Sequence, residues 1–126
     1  MPSIEYQIIR GWGMRVEVDI TTSMDSHKLG KLIYEEIADY LGAVMDKHAI
    51  VKFREFDDLD RMGEYISVMA EDISTTYKHI IIIRVIEESD SEPNGYGSAI
   101  IVGTNDENEV GMIEEMVDIG VRIKET

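Results

Sequence analysis

Apolar residues recur along this chain with two periods, and the switches between them lay out eight elements. Ile4 to Ile9 and Met14 to Thr21 read as strands joined by Arg10-Gly11-Trp12-Gly13, a glycine-bearing hairpin connector. In the second strand Met14, Val16, Val18 and Ile20 alternate with Arg15, Glu17, Asp19 and Thr21, so one face is apolar and the other wet. Ser23 or Asp25 then offers an N-cap oxygen to a helix over residues 25–47, where Leu29, Leu32, Ile33, Ile37, Tyr40, Leu41 and Val44 recur at helical spacing. Ala49 to Phe56 returns to strand, with Val51 and Phe53 inward and Lys52 and Arg54 outward.

A second helix opens among Asp57 to Asp60, whose carboxylates suit the positive end of a helix dipole. Leu59, Met62, Ile66, Met69 and Ile73 give it a Met-rich stripe that serves either as core or as an adaptable partner groove. Lys78 to Ile86 is apolar on both faces through Ile80 to Ile83, which demands cover on both sides by helices or by another subunit. Pro93, acids and glycines make residues 87–97 a loop before a strand from Gly97 to Gly103. Thr104-x-x-Glu107 reads as a capping box for a last helix reaching Lys124. That helix has two apolar stripes, Val110, Ile113, Val117, Val121 and Met112, Met116, Ile119, Ile123, so it should meet more than one neighbour.

The order ββαβαββα runs without a linker, which predicts a single α+β domain over residues 1–126. The expected architecture is a two-layer sandwich, a mostly antiparallel sheet of about five strands with three helices on one face. A faint likeness joins the Gly11-Trp12-Gly13 turn to the Gly95-Tyr96-Gly97 turn, since each leads into a strand and then a helix. A true duplication would predict pseudo-twofold packing.

Charge narrows the partners. Twelve Lys plus Arg against 26 Asp plus Glu leave a net charge of −14, which repels a phosphate backbone and an anionic membrane surface. With no cysteine, disulfides, thiolate catalysis and cysteine-ligated metals are excluded. Met1 to Glu5 lacks the basic and apolar stretches of a signal peptide, and Ile80 to Ile83 is far short of a membrane span. A soluble, cytoplasmic protein is expected, with no nucleic acid, no membrane and no cofactor.

The chemistry-bearing residues form no complete motif. His27, His48 and His79 show no metal-ligand spacing, and the plain reading of each is a surface or strand-end side chain. No serine sits in a G-x-S-x-G elbow, and Gly97-Ser98-Ala99 starts a strand where an elbow needs a strand-to-helix turn. Gly103-Thr104-Asn105-Asp106-Glu107 carries acids where a bound phosphate would sit. Asp90-x-Glu92-x-Asn94-Gly95 begins like an EF-hand, but its twelfth position is Ile101. The acidic stretches 55–60 and 87–94 leave a weak divalent-cation site open, although a helix N-terminus accounts for Asp57, Asp58 and Asp60 more simply; no metal is assigned.

The aromatic residues stand out more. Trp12 and Tyr96 each sit between two glycines in a hairpin, so each calls for cover by its own domain, a second subunit or a ligand. Arg10 and Arg15 flank Trp12 with local positive charge, which makes Arg10, Trp12, Arg15 and Tyr96 the candidate ligand or interface set for a small anionic metabolite or a protein partner. Two functions from different classes fit these residues. The first is a small acidic binding and assembly module that forms a homo-oligomer. The second is a cofactor-independent enzyme at a subunit interface, with His79 or His27 as base, Asp58 or Glu55 as its partner and Arg10 as substrate anchor.

Overall fold

The computed structural model describes residues 4–10, 15–44, 49–88 and 95–125, with side chains for 15–43, 49–88 and 95–119. Its elements are β1 (Ile4–Arg10), β2 (Arg15–Thr22), α1 (Ser26–Val44), β3 (Ala49–Phe56), α2 (Leu59–Ser74), β4 (His79–Glu87), β5 (Gly97–Thr104) and α3 (Glu107–Glu125). All eight occur in the order that the periodicity predicts. Local chemistry sets the helix starts. Asp25 caps α1 by accepting from the backbone N–H groups of His27 and Lys28 at 3.0 and 3.1 Å. Asp58 caps α2 through Asp60 N–H and Arg61 N–H. The cap of α3 is Asp106, which accepts from Asn108 N–H at 3.0 Å, rather than the predicted Thr104. Thr104 is the buried last residue of β5, and its hydroxyl instead accepts from Asp106 N–H.

The five strands form one sheet in the order β1-β2-β4-β5-β3. β1–β2, β4–β5 and β5–β3 are antiparallel and β2–β4 is parallel, so the sheet is mixed. Two cores lie on its two faces. Val16, Val18, Ile20, Ile81, Ile83, Val85, Ile100 and Val102 pack under α1 and α3. Ile80, Ile82, Ala99, Ile101 and Phe56 pack under Met62, Ile66, Ala70 and Ile73 of α2. The molecule therefore has three layers, which corrects the expected two-layer sandwich with its helices on one face.

Strand order supplies the reason. α1 connects β2 to β3 toward one edge of the sheet, while α2 connects β3 back to β4 in the opposite direction. Crossovers of a single hand, which the right-handed twist of strands favours, must then put their helices on opposite faces. Ile80 to Ile83 obtain the two-sided cover that their sequence demands, and each is at most 5% exposed. Burying each such side chain contributes roughly 2–3 kcal/mol. The Met-rich stripe of α2 is core, since Met62, Ile66 and Ile73 are buried in the second cluster.

Pseudo-twofold packing does not occur. Carrying β1–β2 onto β4–β5 reverses strand direction but keeps order along the sheet, and a rotation that does both exchanges the two faces. α1 and α3 would then lie on opposite faces, yet both sit on the same one.

Close approach rather than turn geometry explains two of the glycines. A Cβ on Gly30 would stand 2.5 Å from Ser98 Cβ, where α1 presses on β5. A Cβ on Gly103 would stand 2.5 Å from Ile73 Cγ2, where α2 presses on the other face. Gly63, in the middle of α2, has nothing within 4 Å of that position. Gly63→Ala should therefore stabilise the protein by about 1 kcal/mol through helix propensity alone. Gly30→Ala should destabilise it by about 1–2 kcal/mol, because overpacking against Ser98 outweighs that gain. Urea denaturation of the two variants checks the opposite signs.

Candidate functional site

The sheet separates residues that the sequence suggested as one set. Arg15 opens β2 opposite Ile80, and His79 opens β4 opposite Thr104, so both lie at one end of the strands. Tyr96, His27 and Asp58 lie at the other end, beside Gly97, Phe56 and the first turns of α1 and α2. Most of the length of β4, from Ile80 to Ile86, separates the two ends, a span of about 20 Å at the usual rise per strand residue. Arg15 and Tyr96 therefore belong to different sites. Arg10 ends β1 opposite Val16, near Arg15, while Trp12 and His48 fall outside the described residues.

At the Tyr96 end the contacts are structural. His27 Nε2 lies 2.8 Å from the Phe56 carbonyl, and its ring meets Tyr96 edge-on with centroids 5.8 Å apart. This covers part of Tyr96 from within its own domain, although the ring remains 37% exposed. Gly95 reaches Tyr96 with φ 69°, a left-handed backbone that glycine adopts without a steric penalty. Glu87, at the end of β4, accepts from Ser26 N–H at 2.8 Å and so places a carboxylate on the first turn of α1. The Ser98 hydroxyl donates to the Ser26 carbonyl at 3.1 Å. Asp58 is committed to its cap. These bonds lock α1 to β3, β4 and β5; they align His27 with a carbonyl and an aromatic edge, not with a carboxylate partner.

Arg54, on β3, lies over the rings of Phe56 and Tyr65 at 5.3 and 5.5 Å. Burial beside these groups pushes the Tyr65 phenol above its ordinary 10.0, while the nearby Arg54 charge works against that rise. Among the described residues no group of three or more His, Asp and Glu side chains is arranged to hold a metal ion. Residues 89–94, which include most of the second acidic stretch, lie outside the described residues.

The remaining surfaces come from what the helices leave uncovered. On the α2 face, the helix sits over β5, β4 and β3 and leaves the β2 half open. The wet side of β2 fills that opening with charge: Arg84 donates to Glu17 at 2.8 Å and to Asp19 at 3.2 Å. Arg15 reaches Glu17 only at 3.6 Å. On the other face α3 turns Ile113 and Val117 into the core but leaves Met112 and Ile119 exposed by 45% and 49%. Met116, between them in the same stripe, is half-buried against the core. Leu32 on α1, 38% exposed, lines a groove of about 340 Å³ with Met24, Leu29 and the charged Asp25 and Lys28. Of the two stripes read on α3, Val110, Ile113 and Val117 pack in the core together with Met116, whereas Met112 and Ile119 stay open, and the side chains of Val121 and Ile123 lie outside those described.

One hydrogen bond ties α3 to α1 beside this core packing. Tyr40 of α1 donates its phenol to Glu109 Oε2 at 2.5 Å. The bond to this carboxylate, helped by burial and by the negative charges of Glu109 and Asp106, pushes the phenol up from 10.0 to about 12. A folded-state value raised above the unfolded one means that the tie is complete below pH 10 and lost as pH rises through 12. Tyr40→Phe should lower stability by up to about 1 kcal/mol at neutral pH, solvent screening keeping the loss small. The gap between variant and parent in urea melts should close as pH approaches 12. Comparison with protein families, with curated proteins and with solved structures finds no match to this chain.

Proposed function

We propose that the protein is a small acidic, cytoplasmic binding and assembly module that forms a homo-oligomer through the outer face of α3. The observation that carries this reading is the exposure of Met112 and Ile119 two turns apart on one face of α3, with Met116 half-buried between them and Ile113 and Val117 already in the core. Large apolar side chains grouped on one helix face mark contact surfaces, whereas scattered ones need no explanation. No helix among the described residues is long and apolar enough to cross a membrane, so the stripe is not a spanning segment.

Charge decides how a second copy docks. Exposed Glu115 borders these residues, and each chain carries −14, so two copies repel until their apolar side chains meet. Self-association should then strengthen with salt, which screens the repulsion and leaves the apolar contact. A basic partner on the same stripe would be weakened by salt instead. Analytical ultracentrifugation at low and high salt separates these cases. The expected result is an oligomer favoured by salt and lost in a Met112→Ser/Ile119→Ser double variant whose circular dichroism is unchanged. A parent protein that stays monomeric at every salt concentration contradicts the proposal.

A further inference from the structure

The open half of the α2 face carries a second surface, away from the α3 stripe. Ser67, Glu71 and Ser74 recur at spacings of four and three along one flank of α2, and Lys78 lies in the turn before β4. Across from them Arg15 rises from β2, and Ala70 and Ile80 form an apolar floor. Together they enclose an open groove of about 460 Å³, within the size range of small-molecule sites.

Two cations line this groove in a protein of net charge −14. Glu17 Oε1 accepts from Arg84 at 2.8 Å and pairs with Arg15 only at the longer distance of 3.6 Å, and the Arg15 side chain stays 45% exposed. The backbone N–H of Lys78 is fixed by Asn105 Oδ1 at 2.9 Å, and among the described residues its ammonium has no carboxylate partner. The Ser67 hydroxyl likewise bonds to no described residue, whereas that of Ser74 donates to the Glu71 carbonyl. Donors of both charge and hydrogen bonds thus face one space.

We propose that this groove binds a small monocarboxylate, its oxygens held by Arg15 and Lys78 and its short apolar body resting on Ala70 and Ile80. The planar guanidinium suits a two-oxygen anion. Glu71, and Glu17 beside Arg15, set the charge limit: two carboxylates already offset the two cations, so every negative charge that a ligand brings counts against it and a monoanion brings the fewest. A phosphate dianion would bring a second negative charge against Glu71. The site lies on the sheet face opposite α3, so it stands or falls separately from the assembly proposal.

The test is a titration of the whole protein with butyrate and, separately, with inorganic phosphate, monitored through amide chemical shifts. Saturable shifts with butyrate at Arg15, Ser67, Glu71, Ser74 and Lys78 are expected. Arg15→Gln and Lys78→Gln should each weaken binding about tenfold, the loss of one charge-assisted contact. Both side chains are on the surface, and the same spectra report whether the variants are folded. Glu71→Gln should improve phosphate more than butyrate. Shifts that do not saturate, or that spread to the exposed Lys28 and Lys52, overturn the site. Tighter binding of phosphate than of butyrate by the parent protein overturns its assignment to a monocarboxylate.

Discussion

Two-sided burial of β4 and β5 is the constraint on which the rest of the structure depends. Successive residues of a strand point to opposite faces, so Ile81 and Ile83 enter one core while Ile80 and Ile82 enter the other. A sheet with such a centre must carry a helix layer on each face. The connections provide it, because α1 and α2 cross the sheet in opposite directions with a common hand. The small residues of β5 then set the distances. Gly103 lets Ile73 and Tyr77 approach on the α2 face, and Ser98 meets Gly30 on the other.

The two proposed surfaces lie outside this central arrangement. One helix cannot cover five strands, so α2 leaves the β2 half of its face open, and the polar side of β2 is adapted to water there. The Arg84 bonds to Glu17 and Asp19 mark where helical cover ends, on a strand that is otherwise almost wholly apolar. Glu17 is shared between Arg84 at 2.8 Å and Arg15 at 3.6 Å, and Arg15 stands beside Lys78 in the groove. On the opposite face, α3 buries Ile113 and Val117 and leaves Met112 and Ile119 exposed, while a bond between Tyr40 and Glu109 ties the helix to α1.

Element identity was legible in the sequence because it depends on local spacing. The alternation from Val16 to Ile20, the helical repeat from Leu29 to Leu41 and the apolar run at Ile80 each fix an element without knowledge of the rest. The run at Ile80 even implied cover on both faces, which conflicted with the expectation of helices on one. Layer count depends on strand order, and strand order is a long-range property that no local period encodes. The same limit explains the site. Arg15 was legible as a local cation next to a glycine hairpin, but its neighbours Lys78, Ser67 and Glu71 come from elements joined only by the parallel β2–β4 ladder and the return of α2. The repeat of Ser67, Glu71 and Ser74 on one helix flank was the available signal. Tyr96 looked like a companion of Trp12 because both sit between glycines, a local likeness that says nothing of which end of the sheet each hairpin occupies.

Amide hydrogen exchange, resolved strand by strand, tests the two-sided centre most directly. If both faces of β4 and β5 are covered, the amides of Ile80 to Val85 and of Ser98 to Val102 should exchange only through global unfolding. Those of the edge strands β1 and β3 should open earlier. Exchange of β4 or β5 at the rate of the edge strands would mean that one face lacks its helix, and would contradict the three-layer account.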